Sequence, residues 1–494
     1  MKCEIKQESP QKFTRDIFWV GSSQILIYIL SFFTLPVLTK IFGAELYGLW
    51  SQIAVTVGLL NPILTLHLGT AMVRYLSSEN KKDKLSQSFS NMFWLIALMA
   101  FNCIIISILL KTNLSILLFN NNLYENFIIL TFIWAGTSAL FTFLISYFRA
   151  RGKIKKLSLI NILVYTTKFV PLYILATLNF PLYILIITQI LVEIGFITSL
   201  FFSINSKIGF KRPNISNLKK YLSFSIPQIP SGSLLWIIDS SDRYFITIFL
   251  GLTQTGIYSA SYSIGNLVSM FYVPISFVIF PVISKFWEKN DIPSVKLYLE
   301  YATKIFLFFA IPASIGLYIL SKPLLQVLTT SQFLSGGGIL TFLIALSTLF
   351  LGIFQINLYI ICLIEKTKFM PLIVGISAVI NIIFNVLLIP LIGMMGAAIS
   401  TIISYLVLSM IVLIWAKKRV NYHFDVIFLF KIISASILMC LTIQILPLNI
   451  NNLLNMGIVT IIGFIIYITL TLILKTFTND EKKFLYKLIS GKLK

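Results

Sequence analysis

The sequence has little charge for its length. Asp, Glu, Lys and Arg make up 11% of its 494 residues, whereas hydrophobic residues make up 57%. Ordinary soluble domains carry about 25% charged residues, and a single soluble core stops growing at about 300 residues. A chain this long and this apolar needs lipid to cover its surface, which excludes a soluble protein.

Cysteine and histidine are also scarce, with four and two residues. Cys3 lies near the start, and Cys103, Cys362 and Cys440 lie far apart inside apolar runs. This spacing matches neither a disulfide framework nor paired zinc ligands. His67 has no second histidine, cysteine or carboxylate nearby in sequence, which favours a packing role. We therefore expect no metal site and no cofactor.

Acidic residues are outnumbered by Lys and Arg, 17 to 39, which gives a formal net charge of +22. In a soluble protein such an excess would suggest nucleic acid. Here the cations fall in short clusters between apolar runs, a pattern that orients a membrane protein against the cytoplasmic leaflet. We expect no nucleic-acid partner. The sequence also lacks a GxxxxGK[ST] phosphate loop, so ATP is not the direct energy source.

What the chain does have is a series of apolar runs long enough to cross a bilayer. They cover residues 17–39, 47–72, 89–110, 124–148, 158–177, 181–204, 222–250, 257–282, 302–320, 339–364, 370–391, 394–416, 426–446 and 453–474. The first run is too long for a signal-peptide core and has no small-residue cleavage site behind it. The sequence predicts an all-α polytopic membrane protein with about fourteen transmembrane helices.

The placement of Lys and Arg supports this count. Most of them lie in the two tails and in every second loop, and only Lys40, Lys111 and Lys322 lie in the opposite loops. A miscount by one helix would destroy this alternation. By the positive-inside rule, both termini are predicted to be cytoplasmic.

An internal repeat relates two turns that lie 208 residues apart. The matching pairs are Gly43 and Gly251, Gly48 and Gly256, Leu49 and Ile257, Trp50 and Tyr258, and Ser51 and Ser259. Six predicted helices separate the copies, so both insert the same way up. We expect two six-helix lobes related by a pseudo-twofold axis along the membrane normal, followed by a C-terminal helical hairpin.

The repeat and the charge clusters predict six regions. They are a cytoplasmic N-terminal tail (1–15), an N-terminal six-helix lobe (16–205), a cytoplasmic inter-lobe linker (206–220), a C-terminal six-helix lobe (221–416), the additional helices 13 and 14 (417–475) and a basic amphipathic cytoplasmic tail (476–494). Parallel lobes of this kind usually enclose a central cavity and rock about it. The pattern therefore favours a transporter.

Three stretches carry a resemblance to a known family. They are residues 38–49, with Thr39, Lys40, Gly43, Tyr47 and Gly48; residues 238–260 with Phe280 and Pro281; and residues 381–398, with Asn381, Asn385, Pro390, Gly393 and Gly396. Over helices 1 to 12 the chain resembles the polysaccharide-flippase branch of the multidrug/oligosaccharidyl-lipid/polysaccharide exporter superfamily.

The resemblance implies a flippase rather than an enzyme. Its substrate would be an undecaprenyl-diphosphate-linked oligosaccharide repeat unit, moved from the cytoplasmic to the outer leaflet of a bacterial inner membrane by alternating access. The product would enter O-antigen, capsule or exopolysaccharide assembly, with a polysaccharide polymerase and chain-length machinery as candidate partners. Lipopolysaccharide is the expected context.

Three alternatives stay open at this point. A cation-coupled multidrug antiporter of the superfamily usually has twelve helices and an acidic residue within the first, whereas here helix 1 has only Asp16 at its edge. A peptidoglycan-precursor lipid flippase shares the fold and the fourteen helices. A membrane glycan polymerase needs a sizeable polar outer loop, and the longest one here, at residues 321–338, has one charge.

Ionisable side chains near the bilayer centre are costly, so each is expected to face a partner or a wet cavity. Lys168 in helix 5 and Glu193 in helix 6 lie at equal depth near the midplane. They are either a salt bridge that fixes the two helices, or a cavity cation for the diphosphate with a coupling partner. Asp239, Asp242 and Arg243 share one face of helix 7, as a neutralised polar seam, a cavity wall or an outer gate.

Weaker candidates complete the predicted site. Lys304 lies near a cytoplasmic helix end and is able to snorkel, and Arg74 lies where it can attract the diphosphate to the cytoplasmic mouth or simply signal topology. Aromatic side chains that could stack on sugars are Trp236, Tyr244, Tyr258 and Tyr262. Residues 481–489 carry apolar groups on one helical face and lysines on the other, and are expected to lie on the membrane surface.

Overall fold

The computed structural model describes residues 10–77, 79–214, 218–364, 369–445, 452–478 and 481, and the regular structure in this part of the chain is helical throughout. Its α-helices are α1 (Pro10–Thr65), α2 (Leu68–Leu76), α3 (Lys82–Leu109), α4 (Lys111–Phe119), α5 (Glu125–Ala150), α6 (Ile154–Thr177), α7 (Leu182–Ile208), α8 (Leu218–Ser225), α9 (Ile229–Leu250), α10 (Leu252–Gly265), α11 (Ser269–Glu288), α12 (Ile292–Leu328), α13 (Ile339–Asn357), α14 (Tyr359–Leu363), α15 (Met370–Ile392), α16 (Met394–Val420), α17 (Val426–Ile445) and α18 (Leu453–Ile473).

The prediction of an all-α polytopic membrane protein is confirmed. Within the described residues, twelve helical stretches are long and apolar enough to cross a membrane. The first of these, Trp19–Thr65, contains two predicted spans. Helix α9, of 22 residues, lies within the predicted span 222–250 and falls outside the twelve. It contains three charged residues, Asp239, Asp242 and Arg243, which lower its apolarity. These two cases account for the difference between twelve stretches and fourteen predicted helices.

Helix α1 consists of two helical segments that meet at Gly43. This residue has φ of 70° and ψ of −172°, a left-handed φ that glycine adopts without steric cost. The second segment ends before Leu66 and His67, which also have positive φ values of 46° and 50°. The chain then continues into the short helix α2. The break at Gly43 lies at the predicted turn between helices 1 and 2.

The chain forms two compact units. Unit 1 comprises Met1–Ser259 and Met370–Ala397. In its interior, α1 packs on α5 and α6, α3 on α5, and α15 on α9. The buried residues include Leu49, Phe89 and Phe143, which belong to one continuous apolar cluster.

Unit 2 comprises Ala260–Phe369 and Ala398–Lys494. The long helix α12 is central to it and packs against α11, α13, α17 and α18. Phe306, Phe354 and Tyr467 are among the largest side chains that are fully buried there. The division into two six-helix lobes at residues 16–205 and 221–416 stays a prediction. So do the two tails, of which residues 1–9, 479, 480 and 482–494 lie outside the described part.

Candidate functional site

Lys168 and Glu193 form an ion pair inside unit 1. Lys168 on α6 places its Nζ 2.5 Å from Glu193 Oε1 on α7. The two helices pack against each other along their length, and Gln189 of α7 also donates to the Lys168 carbonyl oxygen at 3.1 Å. The equal depth that the sequence predicted therefore brings the two charges together.

The carboxylate of this pair accepts three hydrogen bonds. Besides Lys168, Glu193 Oε1 accepts from Trp134 Nε1 at 3.3 Å, and Oε2 accepts from Thr137 Oγ1 at 2.6 Å. Both donors lie on α5, so the pair links three helices. The Glu193 side chain is 3% exposed, but that of Lys168 is 18% exposed. Lys168 is thus the member of the pair that keeps access to its surroundings.

A second charged cluster lies on α9. Asp242 is completely buried and accepts hydrogen bonds from the main-chain N–H of Arg243 at 2.8 Å and from the hydroxyl of Tyr258. Arg243 Nη1 lies 3.3 Å from Asp242 Oδ1 and donates to the main-chain oxygen of Asp239 at 3.1 Å. Asp239 is partly exposed. The cluster is thus a network that joins residues of α9 to a tyrosine of α10, and the choice between seam, cavity wall and gate stays a prediction.

The aromatic candidates Trp236 and Tyr244 hold α9 against the second segment of α1. The Tyr244 hydroxyl is 2.7 Å from Thr56 Oγ1, and the two rings make an edge contact with centroids 5.8 Å apart. A Cβ on Gly58 would lie 3.1 Å from Trp236 Nε1. These rings pack within the protein, as does the buried Tyr258. Tyr262, a residue of α10 in unit 2, is partly exposed.

The two copies of the sequence repeat meet directly at their glycines. A Cβ built on Gly48 would lie 2.0 Å from the main-chain oxygen of Leu252, and one built on Gly256 would lie 2.0 Å from that of Ala44. Ala44 and Leu252 are themselves 208 residues apart, so the contact is reciprocal. Only glycine permits this approach.

The backbone and the serines of the repeat follow the same symmetry. Gly251 has φ of 86° and ψ of 171°, the conformation found at Gly43. Ser51 Oγ and Ser259 Oγ are 2.7 Å apart. The repeat is therefore a structural one in which equivalent residues of α1 and α10 contact each other.

Sequence reasoning missed a polar cluster between α9 and α15. Ser241 Oγ and Asn385 Nδ2 both donate to Asn381 Oδ1, at 3.0 and 2.9 Å. All three side chains are buried. Two asparagines four residues apart in an otherwise apolar run were a usable signal, because such groups need partners inside a membrane.

Lys304 of α12 is bound by two carboxylates of unit 2. Its Nζ lies 2.6 Å from Asp425 Oδ2 and 2.5 Å from Glu481 Oε1. Burial opposes ionisation of both acids, but their hydrogen bonds to the lysine dominate, so the pKa of Asp425 and that of Glu481 lie below their ordinary values. The structure thus places Lys304 in a clamp that holds the chain after α18.

Arg74, at the end of α2, has aromatic neighbours. Its Cζ lies 4.3 Å from the ring centroid of Phe224 and 5.5 Å from that of Tyr75. The side chain is exposed.

Among the described residues, no group of three or more histidine, cysteine or acidic side chains is arranged to hold a metal ion.

Unit 2 contains an apolar cavity of about 390 Å³ between α11, α12, α17 and α18. Phe271, Phe309, Leu317, Met439 and Phe464 are among the residues that line it. Two of its four walls are the helices that follow the predicted twelve-helix core.

Comparison with known proteins identifies the family. Residues 13–287 match the family model described as polysaccharide biosynthesis protein. The chain belongs to this family. Residues 216–387 also match the MatE model. The predicted membership of the multidrug/oligosaccharidyl-lipid/polysaccharide superfamily is confirmed, and the protein is a multi-pass membrane protein of that superfamily.

Solved structures have the same fold at low sequence identity. A lipid II flippase in an inward closed conformation is 20% identical and has a TM-score of 0.75, covering 92% of this chain and 98% of that protein. An inward-facing multidrug resistance transporter is 14% identical with a TM-score of 0.63, over 80% of this chain and 94% of that one. These similarities concern the fold.

Two curated proteins match over shorter stretches. An uncharacterized membrane protein of Methanocaldococcus jannaschii is 29% identical over 37% of this chain and 36% of its own length. A probable low-salt glycan biosynthesis flippase of Haloferax volcanii is 22% identical over 30% of this chain and 32% of its own length. The match thus spans about a third of each relative.

Proposed function

We propose that this protein is a flippase for a polyprenyl-diphosphate-linked oligosaccharide. It moves an undecaprenyl-linked repeat unit from the cytoplasmic to the outer leaflet of a bacterial inner membrane by alternating access, for O-antigen, capsule or exopolysaccharide assembly. Both termini lie in the cytoplasm, and a polysaccharide polymerase with its chain-length machinery uses the product. The observation that carries the proposal is the polysaccharide biosynthesis family match over residues 13–287.

The repeat contact supports alternating access. By the positive-inside rule the turns at Gly43 and Gly251 both face outward. The equivalent residues Gly48 and Gly256, and Ser51 and Ser259, contact each other beside these turns within unit 1. Repeats that insert the same way up are typical of transporters that alternate between inward-open and outward-open states.

The charged clusters supply groups for an anionic headgroup and for energy coupling. Arg243 and Lys168 are two cations in the interior of helices of unit 1, and each is paired with a carboxylate, Asp242 and Glu193 respectively. A diphosphate is able to compete for these cations as each carboxylate takes up a proton or a coupling cation. Asp239, partly exposed beside Arg243, is the third coupling candidate.

The apolar cavity suits the lipid part of the substrate. Its walls are helices α11, α12, α17 and α18, and its lining contains aliphatic and aromatic side chains with few polar groups. A polyprenyl chain needs such an environment while its headgroup crosses the membrane. The sugars would then stack on Trp236, Tyr244, Tyr258 or Tyr262 only after the packing described above loosens.

The test is the double variant Arg243→Ala with Lys168→Ala. We expect surface polysaccharide to be lost at normal protein level, with lipid-linked single units accumulating on the inner leaflet. Units that accumulate on the outer leaflet would indicate a defect in polymerisation instead. Unchanged polysaccharide would refute the site assignment, and a deletion strain with normal polysaccharide would refute the function itself.

A peptidoglycan-precursor lipid flippase is the second candidate, favoured by the fold similarity to the lipid II flippase. It predicts that the gene is essential and that it complements depletion of such a flippase. The similarity to multidrug transporters concerns the fold as well, and drug susceptibility of a deletion strain tests that alternative.

A further inference from the structure

Two exposed cations from separate helices of unit 1 lie against one aromatic ring. Arg74 Cζ of α2 is 5.5 Å from the ring centroid of Tyr75, and Lys220 Nζ of α8 is 4.7 Å from the same centroid. Arg74 also lies 4.3 Å above the ring of Phe224. Because both distances end at the same centroid, the two charges lie no more than about 10 Å apart, which is within reach of one headgroup that carries two phosphates.

The rings below them form a fixed floor. Tyr75 makes edge contacts with Tyr221 and with Phe224, each with centroids 5.6 Å apart. Tyr221 is buried, and its hydroxyl lies 2.8 Å from Ser88 Oγ on α3. The floor therefore ties α2 and α8 to α3, and the two cations are positioned by a rigid aromatic cluster rather than by flexible tails.

The two cations on this floor have no carboxylate partner among the described residues. Two lysines of the same unit do have one: Lys84 pairs with Glu79 at 2.8 Å, and Lys211 pairs with Asp83 at 2.6 Å. In the described part of the chain, no carboxylate lies within ion-pair distance of Arg74 or Lys220. A ring face attracts a cation without taking its N–H donors, so these donors stay available to an anion.

We propose that Arg74 and Lys220 form a docking site for phosphate, and that its occupant is the diphosphate of the lipid-linked substrate. The inference rests on the proposed function and adds a binding step before the substrate crosses the membrane. A planar guanidinium binds phosphate oxygens in a bidentate manner, and the ammonium supplies a second, point-like charge for the neighbouring phosphate. By the alternation of charge along the chain, this site faces the cytoplasm, where the substrate is made.

The experiment uses the purified full-length protein in phosphatidylcholine nanodiscs and measures lipid retention by native mass spectrometry. The probes are undecaprenyl diphosphate, phosphatidylglycerol and inorganic pyrophosphate. We expect the double variant Arg74→Gln with Lys220→Gln to bind undecaprenyl diphosphate at least about tenfold more weakly than the unmodified protein. The affinity of this variant should also no longer fall as the salt concentration rises. Lys211→Gln is the matched control, since Asp83 already neutralises that lysine, and its affinity should stay within about twofold.

The outcomes separate this site from the proposed function. Unchanged binding by the double variant refutes the site, and so does an equal loss for phosphatidylglycerol, which would make it a general anionic-lipid site. Arg74→Lys with Lys220→Arg should retain binding, and equal melting temperatures exclude misfolding. The flippase function is tested separately by the leaflet in which lipid-linked units accumulate in the deletion strain.

Discussion

Lys168 and Glu193 are the residues at which a structural and a functional role compete most directly. The glutamate has a donor on each oxygen, which is the arrangement of a structural ion pair. The lysine keeps 18% exposure, which a substrate-binding cation needs. Static geometry is compatible with both roles, but the two roles respond differently to removal of the pair.

We expect Glu193→Gln to lower stability by about 3 kcal/mol, the lower end of the range for breaking a buried pair, because it leaves the Lys168 charge unpaired. Lys168→Met with Glu193→Leu removes both charges and should recover most of the lost melting temperature. If Lys168 binds substrate, the double variant should not transport even though its stability has recovered. If the pair is only structural, transport returns with stability. Melting in detergent and a surface-polysaccharide assay distinguish the two.

At the scale of helices, the contact between α1 and α10 depends on glycine. The atoms that a new Cβ would meet belong to main-chain carbonyl groups, which cannot move aside as a flexible side chain can. The backbones must therefore separate if either glycine is replaced. This makes the contact a specific point at which the packing of α1 on α10 can be weakened.

We expect Gly48→Ala and Gly256→Ala each to destabilise the protein by about 1–3 kcal/mol, as overpacking does in other cores. Cysteine substitution at the neighbouring serines, Ser51→Cys with Ser259→Cys, should give a disulfide that blocks transport until it is reduced. The control for the two alanine variants is Gly457→Ala. Nothing lies within 4 Å of its new Cβ, so this variant should raise the free energy of unfolding by about 0.5–1 kcal/mol, as alanine does in a helix interior. Destabilisation by Gly457→Ala equal to that by Gly48→Ala would contradict the packing argument.

The segment after α18 is attached to α12 by an electrostatic clamp. Glu481 binds Lys304, and its other carboxylate oxygen accepts from the main-chain N–H of Thr478. Phe477 packs between the rings of Phe308 and Phe428. Charge and apolar packing therefore hold the segment together.

The clamp predicts a pH dependence. Because the pKa values of Asp425 and Glu481 are lowered in the folded protein, their contribution is fully present above the ordinary carboxyl pKa of about 4. It is lost as the pH falls through the lowered values. Hydrogen exchange at residues 476–478, corrected for intrinsic rates, should therefore stay slow at pH 5 and rise below about pH 4. Lys304→Gln should exchange fast at both pH values, and protection in that variant would show that the clamp contributes little.

At the scale of the whole molecule, the proposed orientation is set by loop charge. Fourteen spans place loops alternately on the two sides, with the cationic loops inside. Leu123 is exposed in a predicted outer loop and Lys289 in a predicted cytoplasmic one. Neither side chain carries a hydrogen bond in the described structure that a cysteine would remove.

In a variant without the four native cysteines, we expect Leu123→Cys to react with a membrane-impermeant maleimide on intact cells. Lys289→Cys should react only after the membrane is permeabilised. Labelling of both on intact cells, or the reverse pattern, would overturn the proposed topology. Normal surface polysaccharide in both variants shows that the labelled protein is the active form.

The membrane class, the spans, the turn at Gly43 and the repeat were all predictable from the amino-acid sequence. Hydropathy, loop charge and the 208-residue offset of the repeat depend only on the order of residues along the chain. They can be read without knowing which residues are close in space. Depth along a helix is also readable from sequence. This is why the pairing of Lys168 with Glu193 was predictable.

Which side chains face one another depends on how the helices pack. Lys304 is 121 residues from Asp425 and 177 from Glu481, and Lys220 lies against Tyr75 of a different helix. Hydropathy specifies where along the membrane normal a residue lies, but neither the rotation of its helix nor the identity of the adjacent helices. Those are set by packing over the whole chain, which is why the clamp on Lys304 and the cation pair on the aromatic floor were visible only once the helices were assembled.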